Sequence, residues 1–429
     1  MKKINILKTI GLIFITLILL TAGCSGRSTA AAQSTPPVSF SSEQFALIHE
    51  IQAQPVSYQL MSTIFVENSD GTDDGVIRLI ESMQGQGLYF YQTETTPFGL
   101  IASDDVLILK INCQWAERGG TNTDLIRSVI KAITEHPESF RGEIIVADNG
   151  QAQFGSDRRG GSLNWTNANS ADRRQSVMDV VRIFQAAGFR VTGVLWDDFT
   201  AVRVGEFSAG DTRNGFVVEN TRRSTGLEIS YPKFTTEFGT HVSFKEGIWN
   251  ANTQTYASEK LKVINMPVLK SHGSYQVTAA VKNYMGTPSD RLTNRRAHNS
   301  IGAGGMGTQM AYTRMPVLNI LDMIWVGVDR GPSSSYSTAK QINKIAASID
   351  PVAMDYWASK YILMPEAMQL PGNRGPSMNP DGTQPGTFGH WLRLSMNELH
   401  NAGIWATMDE SEITIVEKIG NNSLISTLK

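Results

Sequence analysis

From residue 106 onward, short apolar runs alternate with amphipathic ones. VLILKIN, residues 106–112, is a continuous apolar run of strand length. TNTDLIRSVIKAITEH, residues 121–136, places Leu125, Val129, Ala132 and Ile133 on one helical face, with Thr121 or Thr123 positioned to cap it. EIIVADNG, residues 143–150, predicts a second strand stopped by turn residues. Residues 170–188 predict a helix with a serine cap and a glycine stop, and residues 189–198 a third strand. Residues 261–270, 317–325 and 342–350 read as three more strands. DPVAMDYWASKYIL, residues 350–363, reads as a helix with Pro351 in its first turn. Strands that are apolar throughout and separated by helices predict an α/β fold. Its sheet should be mainly parallel and covered by helices on both faces.

Two stretches break the alternation. Residues 205–257 mix polar and apolar positions and are rich in Thr, Phe, Tyr and Trp, which predicts a β-rich insertion. Residues 372–389 form a long run of turn residues, the kind of loop that often carries function. The N-terminus follows a different logic. Lys2, Lys3 and Lys8 precede an uncharged apolar run, residues 11–20, too short to span a bilayer. LTAGC then ends in Cys24, as in a bacterial secretory signal closed by a lipidated cysteine. Thr21 departs from the commonest form, which has Leu three residues before the cysteine, and AAA ending at Ala32 offers simple cleavage as the alternative. Residues 25–42, rich in Ser, Thr, Ala and Pro, read as a flexible tether ahead of one large α/β domain, residues 43–429. Together these features predict a protein held by N-terminal lipid on the extracytoplasmic side of a cell membrane.

Composition narrows the chemistry. A formal charge of -2 over 429 residues gives no field to recruit nucleic acid. Apart from Cys24 the chain has one cysteine, Cys113. That excludes an internal disulfide and an iron–sulfur cluster, which needs about four thiolates. Cys113 reads as a small buried apolar residue. No G-x-S-x-G elbow, GK[ST] phosphate loop or HExxH occurs. GAGGMG, residues 302–307, fits a dinucleotide spacing but follows no strand, so it reads instead as a glycine-rich loop closing over a site.

The predicted strands end in polar residues, where open α/β sheets bind ligands. They end at Lys110 with Asn112, at Asp148 with Asn149, at Asp197 with Asp198, at Lys270 with His272, and at Asp350, with Asp322 late in its run. Acids and amides there also form turns and helix caps. Lysines do neither, so Lys110 and Lys270 are the sharper pair. Two chemistries fit. In one, Lys110, Lys270 and Lys282 form an anion pocket, with Asn112 and Asn283 adding directional hydrogen bonds. In the other, acids such as Asp148, Asp322 and Asp350 hold a divalent cation, with His272. Arg295, Arg296 and His298 form a basic cluster that either reaches the same anion or stays a solvated surface, and Arg158 and Arg159 form another.

VLKSHGSYQVTAAVKNYMG, residues 268–286, resembles the signature of the family known as domain of unknown function 362. The pattern of Lys-x-His, a Thr-bearing helix and Lys-Asn-x-x-Gly falls on Lys270, His272, Thr278, Lys282, Asn283 and Gly286. LILKINCQW, EIIVADNG, a histidine at His298, the strand bearing Asp322 and the Asp-Pro-Val-Ala-x-Asp helix from Asp350 to Asp355 are similar to other family segments, across about residues 100–365. Many members of the family carry ferredoxin-like modules, and this chain lacks their cysteines. The resemblance implies that Lys110, Asn112, Lys270, His272, Lys282 and Asn283 act together. The expected protein binds a small anion, carboxylate or phosphate, with a divalent metal as possible helper. If it is an enzyme, His272 is the acid/base and Lys270 or Lys282 stabilises negative charge. The alternatives are a solute-binding or surface-interaction lipoprotein without turnover, and a scaffold whose polar strand ends are only caps.

Overall fold

In a computed structural model of the chain, residues 60–153, 160–371, 375–419 and 422–428 are described, and all of them lie in one compact unit, Ala46–Lys429. Cys24, the tether, the boundary at residue 42, and Arg158 and Arg159 fall outside the described residues. The strands are β1 (Thr63–Asn68), β2 (Val106–Lys110), β3 (Glu143–Asp148), β4 (Val191–Leu195), β5 (Gly215–Arg222), β6 (Glu228–Thr235), β7 (His241–Ser243), β8 (Gly247–Asn250), β9 (Thr255–Ala257), β10 (Leu261–Asn265), β11 (Val268–His272), β12 (Gln276–Thr278), β13 (Leu318–Gly327), β14 (Ala339–Ser348), β15 (Thr414–Ile419) and β16 (Asn422–Thr427). The helices are α1 (Gly75–Gly85), α2 (Thr123–Thr134), α3 (Val177–Ala186), α4 (Ala280–Asn283), α5 (Arg296–Ser300), α6 (Gly305–Tyr312), α7 (Pro351–Ala358), α8 (Met364–Met368), α9 (Gly375–Met378) and α10 (Phe388–Asn401).

The main sheet runs β16-β15-β1-β14-β13-β10-β2-β3-β4, with the β11–β12 hairpin joined to β13. β4, β3, β2, β10 and β13 are successively parallel, as are β11 with β13 and β1 with β15. The α/β fold with a mainly parallel sheet is therefore present. β14 departs from it by lying antiparallel between β13 and β1. Residues 215–257 form a separate antiparallel sheet, β5-β6-β7-β8-β9, which is the expected β-rich insertion.

Side chains alternate across the sheet, and each face has its own cover. Leu107, Leu109, Ile144 and Val146 pack on one face under α1, α2 and α3. Ile108, Ile145 and Val263 pack on the other, against Phe216, Phe234 and Phe244 of the insertion and residues of α7 and α10. Helices were expected on both faces; on the second, the insertion sheet shares the cover with them.

Local chemistry sets the helix starts. Asn122 caps α2, accepting from Asp124 N at 2.9 Å and Leu125 N at 3.2 Å, in place of the expected threonines. α3 begins at Val177, because Ser176 and Asp179 form a reciprocal capping box. The expected glycine-rich loop is instead α6, packed on α10. A Cβ at Gly307 would meet Ser395 O at 2.1 Å, so these glycines allow two helices to approach.

One break in the sheet creates the site. Residues 261–270 were expected as one strand, but Pro267 cannot donate to a ladder and divides them. β10 lies between β2 and β13; β11 continues along β13, starting at Val268 opposite Asp322, but its other side pairs with β12 instead of β2. Met266 N still donates to Lys110 O at 2.8 Å. Beyond that bond β2 has no neighbour on this side, and a cleft opens at the carboxyl ends of β2 and β3.

Candidate functional site

The cleft is a cavity of about 410 Å³. Asn112, Asp148, Lys270, His272, Lys282, Asn283, Arg295 and His298 line it, so these residues singled out from the sequence converge there, together with Asn149, Thr278 and Gly286. Lys110 lies beneath them, fully buried, with its ammonium 2.8 Å from Asp148 Oδ1 and donating to Ile111 O at 2.7 Å. Asp148 Oδ2 accepts from Cys113 N at 2.8 Å. Gly286 closes over this pair. A Cβ there would fall 2.2 Å from Asp148 Oδ1 and 2.7 Å from Lys110 Nζ, so the last glycine of the Lys-Asn-x-x-Gly pattern is a steric requirement of the ion pair.

The other two lysines differ from each other. Lys270 Nζ donates to Gly119 O and, at 3.4 Å, to Asn112 Oδ1. Burial first, then the neighbouring Lys282, holds its ammonium well below the usual lysine range. Lys270 therefore ties β11 to the loop before α2. Lys282 is 7% exposed and makes no hydrogen bond or ion pair to a described residue. Its ammonium lies over the Tyr275 ring, 5.7 Å from the centroid. Burial, helped by Lys110, lowers it to about 8. The hydroxyl of Thr278, which lines the same pocket and is also buried, has no partner among the described residues.

The asparagines hold the wall. Asn112 Nδ2 donates to Asn283 Oδ1 at 3.4 Å, Asn283 Nδ2 to Asn265 Oδ1 at 2.8 Å, and Asn265 Nδ2 to Asn319 Oδ1 at 2.9 Å. Asn319 Nδ2 reaches Ser348 O at 3.1 Å. α4 is a single turn rather than the expected longer helix, because residues 276–278 pair with β11 as a hairpin. It starts on Asp355 of α7, whose carboxylate accepts from Ala280 N at 2.6 Å and Val281 N at 3.0 Å. Burial raises Asp355 to about 8.

The two histidines have opposite settings. His272 Nδ1 accepts from Ser274 N and Tyr275 N, both at 3.1 Å, so its lone pair holds the hairpin turn and its neutral ring carries the proton on Nε2. That geometry suits a hydrogen-bond donor, the acid half of the expected acid/base role. His298 Nδ1 pairs with the buried carboxylate of Asp290, a residue that the strand-end argument passed over because it sits in a loop. Arg295 stands exposed at the mouth, at φ +60°. Arg296 turns away and pairs with Glu228 of β6, outside the pocket.

The three acids expected to share a metal are not brought together. Asp148 is held by Lys110. Asp322 lies in the middle of β13, accepting from Asn122 N at 2.8 Å and Ile324 N at 3.0 Å, and burial raises it to about 7. Asp350 caps α7 through Val352 N at 2.8 Å and Ala353 N at 3.0 Å, and burial raises it to about 6. Asp197 likewise accepts from Gly150 N at 2.8 Å and Ala152 N at 2.7 Å, and burial raises it to about 7. Among the described residues no group of three or more His, Cys, Asp or Glu side chains is placed to hold a metal. Cys113 is buried, and burial pushes its thiol well above the usual range.

These features define an α/β protein with a lysine-rich pocket at the carboxyl ends of parallel strands. Residues 219–360 match the family model described as Domain of unknown function (DUF362), so the resemblance read from the sequence holds over that span. The span contains Lys270, His272, Thr278, Lys282, Asn283, Gly286 and His298, whereas Lys110, Asn112 and Asp148 come from upstream of it. No curated protein and no solved structure matches the chain.

Proposed function

We propose that this protein binds a small anion, a carboxylate or phosphate, in the pocket walled by β11, β12 and α4. One observation carries the reading: the ammonium of Lys282 is buried and meets no acceptor among the described residues. An isolated buried charge is expensive, and folded proteins keep one where something else completes it. The unpartnered hydroxyl of Thr278 supplies a second polar contact. Arg295, which makes no ion pair to a described residue, supplies a planar fork at the entrance.

Calorimetric titration with inorganic phosphate and with acetate tests this. Lys282→Met should abolish heat of binding without lowering the melting temperature. Equal binding by the wild type and the variant would remove the reading. The N-terminal pattern, from Lys2 to Cys24, supports the further proposal that the pocket faces the extracytoplasmic side, on a chain held to the membrane by lipid. Among the described residues no helix is long and apolar enough to cross a membrane. A palmitate analogue should label the wild type and not Cys24→Ser; equal labelling of both would refute the anchor.

A further inference from the structure

The loop after α4 builds something the anion reading does not use. Asp290 is buried, and both of its carboxylate oxygens are spent on one residue. Oδ1 accepts from His298 N at 3.1 Å, and Oδ2 meets His298 Nδ1. The Asp290 backbone is held on both sides, its N–H by Gln151 Oε1 at 2.8 Å and its carbonyl by Arg295 N at 2.8 Å. The hydroxyl of Tyr275 donates to His298 O at 2.6 Å. The imidazole is therefore fixed with Nδ1–H on the carboxylate, which leaves the lone pair on Nε2. That nitrogen makes no hydrogen bond to a described residue, and the ring lines the pocket. A carboxylate-oriented imidazole of this kind is a competent general base.

We propose that His298, positioned by Asp290, removes a proton from a small 2-oxo acid held in this pocket. The proposal rests on the anion reading above and extends it. The fork of Arg295 suits the carboxylate. The ammonium of Lys282 and the hydroxyl of Thr278 suit the carbonyl oxygen, where negative charge develops. In the step, the C–H bond next to the carbonyl breaks and its electron pair forms the carbon–carbon double bond. The carbonyl π pair moves to oxygen, and the proton passes to His298 Nε2. Its return restores the ligand, so no oxidant, reductant or second substrate is consumed.

The probe is pyruvate in D2O with the full chain, following loss of the methyl proton signal. Wild-type protein should exchange these protons well above the buffer rate. His298→Gln should slow exchange at least 100-fold while saturation-transfer NMR still shows pyruvate bound. Asp290→Asn should slow it at least 10-fold and displace the pH profile of the rate, as expected of a positioning residue. Arg296→Gln, outside the pocket, should stay within two-fold. Bound pyruvate with no exchange, or exchange unaffected in His298→Gln, overturns the proton-transfer proposal and leaves the anion reading standing. No pyruvate or phosphate binding by the wild type sinks both.

Discussion

Lys282 gives the pocket a thermodynamic signature. Its folded-state pKa, about 8, lies below the ordinary 10.5. Below pH 8 both folded and unfolded chains hold the proton, and the native state carries the full penalty of a buried charge. Between about pH 8 and 10.5 the native chain gives up the proton first, so this contribution to stability rises with pH. In anion-poor buffer, Lys282→Met should be more stable than wild type at pH 7 by about 3 kcal/mol, with the gap closing toward pH 10.5. A gap that does not change with pH in denaturant titrations would contradict this. Lys110 behaves in the opposite way. Replacing it with Met leaves the buried Asp148 unpaired and should cost about 3–5 kcal/mol, which Asp148→Leu in the same chain should largely restore. The sequence alone shows both lysines but cannot separate them. Lys110 closes an apolar strand, which marks it, whereas helical periodicity places Lys282 and Asn283 on a solvated side. Burial of both comes from α4 being one turn wedged between a hairpin and α7, which no local pattern encodes.

At the scale of elements, the polar strand ends divide into two kinds. Asp322, Asp350 and Asp197 hold backbone N–H groups of loops and helix starts, the ordinary work of short acids next to turns. Asp350 and Asp355, the two acids of the Asp-Pro-Val-Ala-x-Asp pattern, cap α7 and α4 in turn. Asp355→Ala should release the start of α4. We expect a loss of about 1–3 kcal/mol in a melt, since two buried N–H groups lose their acceptor, together with weakened phosphate binding as Lys282 shifts. Unchanged binding would mean that α4 holds its place without this cap. The parallel strands β2, β3 and β4 and the faces of α2 and α3 were legible, because buried strands read as unbroken apolar runs. The division of residues 261–270 was not, although Pro267 was its visible cause. A proline in an apolar run signals an edge, and here the edge appears partway along the strand.

Across the whole molecule, the insertion does structural work. Phe216, Phe234 and Phe244 pack with Trp196 and Phe199 on the sheet face opposite α2. Removing residues 205–257 should therefore give a chain that binds hydrophobic dye and melts without a cooperative transition; a sharp melt would show the insertion to be peripheral. The sheet also carries a feature that runs through it from the pocket. Lys270 donates to Asn112, Asn112 to Asn283, Asn283 to Asn265, Asn265 to Asn319 and Asn319 to Ser348 O. Every donor in this row points the same way, so the row has a polarity. Turning one amide over would set donor against donor at one neighbour and acceptor against acceptor at the other. The orientation is thus shared by the whole row, and its acceptor end, Asn112 Oδ1, takes the hydrogen bond of Lys270. What terminates the row at the pocket is an amine, which still donates after losing its proton. The wall can therefore keep its shape whether that amine is charged or neutral, leaving the charge at Lys282 to respond to the proposed anion.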